Sequence, residues 1–262
     1  MSQMLIRRKL AIATWTNASA GTIFGKIVLN VEKALAYIEK KRQESGQKIT
    51  ITHFVGSAIG KALGEVSDLN GQIVLGCYRP HSSVNLSFLV EIDEGKNLAK
   101  AKISDINNKN LVSVAKEISA HVEKLRTHRD VDFNKSMNLV PYLPTWLLRP
   151  VLQITGYLTS VLGIRMKSLG LEAYPFGSCI VTSVGMMGID EGYAPPTPFA
   201  HVPIYVAVPK ITDEAVVRNG QIVIETQLKL MVTLDHRFID GAQCGKVAAK
   251  VREIFDHPEL LD

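Results

Sequence analysis

Val232-Thr233-Leu234-Asp235-His236-Arg237-Phe238-Ile239-Asp240-Gly241-Ala242 sets a histidine at the end of an apolar, β-prone run, with an aspartate four residues on and a glycine directly after it. Histidine is the side chain whose unperturbed pKa lies closest to neutral pH, so it can take up and return a proton within one catalytic cycle. A base at a strand end, just before a turn, sits where a rigid scaffold meets a pocket. Taken alone, the pair also has a plainer reading: a surface turn in which Asp240 caps the next helix and His236 merely packs. The whole eleven-residue string tips the balance.

Asp235-His236-Arg237, two residues, then Asp240-Gly241-Ala242 resembles the active-site signature of the acyltransferase component of 2-oxo acid dehydrogenase complexes. The wider superfamily, which includes chloramphenicol acetyltransferase and the condensation domains, usually has a second histidine where this chain has Asp235. That difference points to the dehydrogenase branch. Ser178-Cys179-Ile180-Val181-Thr182-Ser183-Val184-Gly185-Met186-Met187-Gly188-Ile189 resembles the family's strand and turn ending in Ser-x-Leu-Gly-x-x-Gly. Residues 51–70, with Lys61-Ala62-Leu63 and Leu69-Asn70, resemble a family helix that ends near Pro-x-x-Asn. The likeness covers most of the chain, closely in its C-terminal third and loosely before it.

What the resemblance implies is specific. The fold is α/β (α+β), chloramphenicol acetyltransferase-like, a mixed β-sheet flanked by helices. The activity is acyl transfer between coenzyme A, or another thioester, and a thiol, hydroxyl or amine, with His236 as general base. Thr182 falls where the family's oxyanion-stabilising serine lies, and Ser183 takes that place if the register slips by one. Both also read as ordinary strand-end hydroxyls. Gly185 and Gly241 support the two turns. Asp240 is expected to pair with an arginine of the first helix, Arg7 or Arg8, and so to hold the active-site turn; a helix N-cap is the competing role, and the two are compatible. Arg237 is open to a phosphate contact or an internal ion pair, the ion pair being preferred. No cofactor is tightly bound; a coenzyme A thioester is the co-substrate. The implied assembly is a homotrimer with active sites shared between subunits, with an acyl carrier or lipoyl-bearing protein as partner.

Composition fits one domain over residues 1–262. With 46% hydrophobic residues and no Pro/Gly/Ser linker, the chain can bury a large single core. No lipoyl-type Asp-Lys-Ala hairpin is present, so a free-standing catalytic domain is expected. Three cysteines (Cys77, Cys179, Cys244) lack framework or metal-ligand spacing, so free thiols, a cytoplasmic location and no metal site are expected. Arg7-Arg8-Lys9 ahead of a short apolar stretch has the look of a targeting signal, but the stretch is too short for a signal core and reads as the first helix. A net charge of +5 is spread along the chain with 6% aromatic residues, which argues against nucleic acid.

Local patterns add elements. Residues 23–29 alternate as a strand, and Asn30 suits the N-cap of a helix from Val31 to about Arg42. A buried helix is predicted over 53–66, and a strand over 84–92 with Leu86, Phe88 and Val90 on one face. Val114, Ile118, Val122 and Leu125 predict a helix over 111–128. Asn219-Gly220 between β-branched runs predicts a two-residue hairpin, its return strand running through Leu228 and Leu230 to His236. Cys244, Val247, Ala248 and Val251 give the inward face of a helix over 241–255.

Residues 137–171 read as an apolar helical insertion, broken by Pro141, Pro144, Arg149 and Pro150 and so not a membrane span. Extra core or trimer-interface packing is the first reading. An acyl-chain channel and a membrane-docking surface follow. The alternative to an enzyme is a non-catalytic oligomeric scaffold of the same fold. A condensation-type activity would need a second half from another chain.

Overall fold

Ile23, Ile27 and Leu29 alternate with Phe24, Lys26 and Val28, and in the computed structural model residues Thr22–Asn30 form the first strand, β1. The structure describes residues 20–92, 97–127, 129–138 and 144–262. Leu29 is buried while Phe24 stays 60% exposed, as expected for a strand with only one face on the core. The remaining strands are β2 (Gly71–Val74), β3 (Cys77–Pro80), β4 (Leu86–Ile92), β5 (Asn97–Ile103), β6 (Cys179–Ser183), β7 (Ile204–Val208), β8 (Thr212–Arg218) and β9 (Gln221–Asp235). The helices are α1 (Glu32–Ser45), α2 (Ile51–Glu65), α3 (Leu111–Arg126), α4 (Val131–Asn138), α5 (Thr145–Gly156) and α6 (Gly241–Asp256).

The main sheet runs β1-β9-β7-β6-β4-β5, with β8 paired to the far half of β9 and a separate β2-β3 hairpin. β6 is parallel to both β4 and β7, while the β1-β9, β7-β9, β8-β9 and β4-β5 pairs are antiparallel, so the sheet is mixed as expected. The β8-β9 turn falls at Asn219-Gly220, both with positive φ (50° and 80°), as a type I′ turn demands.

The core lies between this sheet and helices α1, α2, α3 and α6. Phe54 of α2 meets Phe255 of α6 edge-on, with centroids 4.9 Å apart. A Cβ on Gly56 would stand 2.2 Å from the Phe88 ring, so the missing side chain lets β4 press its largest residue onto the helix backbone. Burying each such ring is worth about 1.5–3 kcal/mol.

Several boundaries differ from the sequence reading for local reasons. α1 begins one residue later, with Val31 in the cap position; Asn30 still acts, its Oδ1 accepting from the Glu32 N–H at 3.0 Å. α2 begins at Ile51 because Thr50 and His53 form a reciprocal capping box. On β4, Leu86 and Phe88 are buried but so is Ser87, since this interior strand is covered on both sides. Within the chain, packing explains only part of the apolar 137–171 segment. Gly156 and Thr159–Val161 are buried, whereas Trp146 and Ile154 on α5 remain exposed. Among the described residues no helix is long and apolar enough to cross a membrane.

Candidate active site

β9 delivers the histidine. Its last residue, Asp235, donates its N–H to the Pro203 carbonyl (2.9 Å), and the His236 N–H reaches the Gly21 carbonyl (2.8 Å). The chain then turns sharply, the N–H groups of Phe238 and Ile239 both bonding back to the Asp235 carbonyl at 3.0 Å. Phe238 and Ile239 are 3% and 1% exposed, which nails the turn into the core, and Phe238 lies 5.1 Å from the Tyr78 ring of β3.

Nδ1 of the half-buried His236 ring lies 2.7 Å from the Ile239 carbonyl oxygen. A carbonyl can only accept, so Nδ1 carries the proton and donates. In the neutral ring the lone pair therefore sits on Nε2, the nitrogen a base would use. Around it the turn is braced electrostatically. Arg237 forks onto Asp235 through Nε (3.0 and 3.2 Å) and a terminal nitrogen (2.6 Å), so the preferred ion-pair role of Arg237 is the one observed. Asp235 is nearly buried, and this pair compensates its charge. Asp240 is the N-cap of α6, accepting from Ala242 and Gln243 N–H groups at 3.0 and 3.1 Å in a capping box. Gly241 opens that helix. The proposed partners Arg7 and Arg8 lie outside the described residues.

Thr182 and Ser183, both partly exposed, end β6. The following Gly185–Met187 turn packs tightly: a Cβ on Gly185 would stand 2.7 Å from the Pro209 carbonyl group, so only glycine fits without displacing backbone. Met186 and Met187 on the same turn are 86% and 59% exposed.

The strand registers keep the two groups apart. Thr182 is in line with Ala207 on β7, and Ala207 with Met231 on β9. His236 lies five residues beyond Met231, on the order of 15 Å along the strand at about 3.3 Å per residue. One chain thus holds the candidate base and the candidate hydroxyl at opposite ends of its sheet.

The His236 end also contains groups that the sequence reading missed. Ser178 Oγ donates to Asn70 Oδ1, and Asn70 Nδ2 donates to the Ser83 carbonyl (3.1 Å), a buried clamp joining β6 to the segment before β4. Asn70 was legible only as part of a helix-end resemblance. His201 lies near Arg237; burial, then the Arg237 charge, lowers its pKa below the usual histidine range. No motif pointed to it. Cys179 and Cys244 are not activated nucleophiles. Burial pushes the Cys244 thiol up to about 11, with the Asp240 charge adding to it, and raises that of the fully buried Cys179 as well. Among the described residues no group of three or more His, Cys, Asp or Glu is placed to hold a metal ion.

The model of the 2-oxoacid dehydrogenases acyltransferase (catalytic domain) family matches residues 6–132 and 153–261. The chain belongs to that family. The matched segments take in both turns and skip residues 133–152. The dihydrolipoyllysine-residue acetyltransferase component of the pyruvate dehydrogenase complex of Rickettsia typhi is 26% identical over 241 residues, covering 90% of this chain and 48% of that protein. This member of the acyltransferase family thus spans about half the length of the curated relatives it matches. A crystal structure of a probable dihydrolipoamide acetyltransferase from Listeria monocytogenes superposes with a TM-score of 0.67 at 18% identity, covering 98% of this chain and 94% of that one. Chloramphenicol acetyltransferase superposes with a TM-score of 0.54 at 11% identity, over 98% and 94% of the two chains. The predicted fold class is therefore the observed one.

Proposed function

We propose that this chain is an acyltransferase that moves an acyl group between coenzyme A, bound as its thioester, and a thiol, hydroxyl or amine acceptor. The observation that carries the reading is the His236 Nδ1 contact to the Ile239 carbonyl, which puts the lone pair of the neutral ring on Nε2. Nε2 takes the proton from the attacking group as that group bonds to the thioester carbonyl carbon. The resulting oxyanion needs a donor. When the intermediate collapses, the carbon–sulfur bond breaks and the departing thiolate takes the proton back from Nε2.

The oxyanion donor is the Thr182 hydroxyl, with Ser183 as its neighbour, and it comes from another copy of the chain. The opposed positions of Thr182 and His236 on one sheet support this, since no single copy completes the pair. A homotrimer closes such head-to-tail contacts into a ring with three shared sites. Asp240 holds the histidine turn by capping α6, and a first-helix arginine, Arg7 or Arg8, would add an ion pair to it. Coenzyme A enters as co-substrate and no cofactor stays bound. An acyl carrier or lipoyl-bearing protein is the acceptor class that the named relatives support. The three free thiols accord with a reducing, cytoplasmic setting.

The test is thiol release from a panel of acyl-coenzyme A species, by wild type and His236→Ala, with light scattering to report the assembly. A rate that depends on His236 in a trimer is expected. Equal rates for the two proteins would leave the scaffold reading instead.

A further inference from the structure

Residues 133–171 contain no aspartate or glutamate, while Lys135, Arg149, Arg165 and Lys167 supply four positive charges. The whole chain has 25 acidic residues in 262, so a run of this length without one is a marked local bias. Its helix α5 turns a continuous stripe outward: Trp146, Arg149, Pro150, Gln153 and Ile154, spaced i, i+3, i+4, i+7 and i+8, are all exposed. Trp146 is 77% and Ile154 61% exposed. Arg149 forms no ion pair with any described residue.

We propose that this face of α5 docks on an anionic lipid surface, with Trp146 and Ile154 entering the headgroup–acyl boundary and Arg149 meeting the headgroup phosphates. The combination is that of an interfacial helix: an indole, aliphatic groups and a cation on one face, with no acidic group to repel a negative surface. α5 is a helix of 12 residues carrying Pro150, too short to cross, so it lies along the surface. A second copy is a poor occupant on charge grounds. The stripe is cationic, and the chain as a whole carries +5, so self-association here would bring like charges together. The stripe also begins within the 133–152 segment that the family match omits.

Flotation of the full chain with phosphatidylcholine vesicles, and with vesicles that also contain phosphatidylglycerol, tests the proposal. Partitioning is expected onto the anionic vesicles alone, and less of it in high salt. Trp146→Ala should weaken it about ten-fold, and Arg149→Glu about ten-fold on anionic vesicles. Both variants should keep the wild-type circular dichroism, assembly and thiol-release rate, which separates this outcome from any failure of the acyl-transfer reading. Arg149→Glu, a surface charge change, decides the matter if Trp146→Ala folds poorly. Absence of wild-type partitioning onto anionic vesicles would overturn the proposal. So would variants that bind vesicles like wild type but alter the assembly, since the face would then be a subunit contact.

Discussion

The two turns that carry the candidate chemistry are built to different degrees of completion. The His236 turn is finished within its own chain. It has a capped helix behind it, a forked ion pair at its base, two buried apolar anchors, and a carbonyl that fixes the imidazole. The Thr182 turn is rigid at Gly185, where backbone packs against backbone, yet it leaves Met186 and Met187 in solvent. A base must be aimed to within a few tenths of an ångström, so its supports are best local. A hydroxyl that serves a neighbour's base needs a surface the neighbour can cover, and exposed flexible methionines suit such a surface.

The comparison breaks most readily at the histidine. His236→Ala should lower thiol release by roughly a hundred- to ten-thousand-fold with the fold unchanged by circular dichroism; a loss of a few-fold would mean the finished turn has no catalytic role. Thr182→Val, which keeps shape and removes the hydroxyl, should cost about a hundred-fold or more in kcat with little change in KM. Should Ser183→Ala give the larger loss, the register of the donor is off by one.

Mixing the two inactive proteins sharpens the contrast. If each site takes its base from one copy and its hydroxyl from the next, then His236→Ala and Thr182→Val chains, unfolded together at equal amounts and reassembled, should regain about a quarter of wild-type activity, because one site in four draws both intact groups. No recovery from correctly assembled hybrids would place base and donor in one chain after all.

Smaller effects are expected in stability, one at the cap of α2 and one at the cap behind the His236 turn. Burial, with Lys48 and Arg42 adding to it, lowers the His53 pKa to about 4, and His53 Nδ1 accepts from the Thr50 N–H in the capping box of α2. The folded pKa is below the unfolded one, so unfolding takes up a proton between about pH 4 and 6.5. Stability should therefore fall as pH drops through that window, by roughly 3 kcal/mol in all, and His53→Gln should flatten the profile of Tm against pH. Asp240→Ala should cost about 1 kcal/mol through the lost α6 cap, measured by denaturant unfolding, and Asp240→Asn should recover most of it.

How far the molecule was legible follows from which interactions are local. The Asn219-Gly220 hairpin, the period of α3 and the capping aspartate of α6 each depend on a few adjacent residues, and each was readable. For Arg237 an internal ion pair was readable but its partner was not; the structure supplies Asp235, two residues back. Thr50 and His53 were missed because a histidine rarely takes the box position usually held by Glu or Gln. The Ser178–Asn70 clamp and the proximity of His201 to Arg237 join distant segments, and the sequence carried no period or spacing for them. The separation of Thr182 from His236 needed the strand order itself, because a register sum across β6, β7 and β9 exists only once the sheet is assembled.

That strand order bears on how the chain is made. β9 inserts between β1 and β7, so the sheet has a gap until the last strand in chain order arrives. During synthesis on the ribosome, β1 emerges before the other strands and must wait, its partner edge open, until β9 has been made. Nascent chains stalled short of β9 would display two unpaired edges, on β1 and β7, both rich in apolar residues and open to mispairing. The strand that aims the histidine is also the one that closes the sheet, so a chain that has not finished folding cannot present its base.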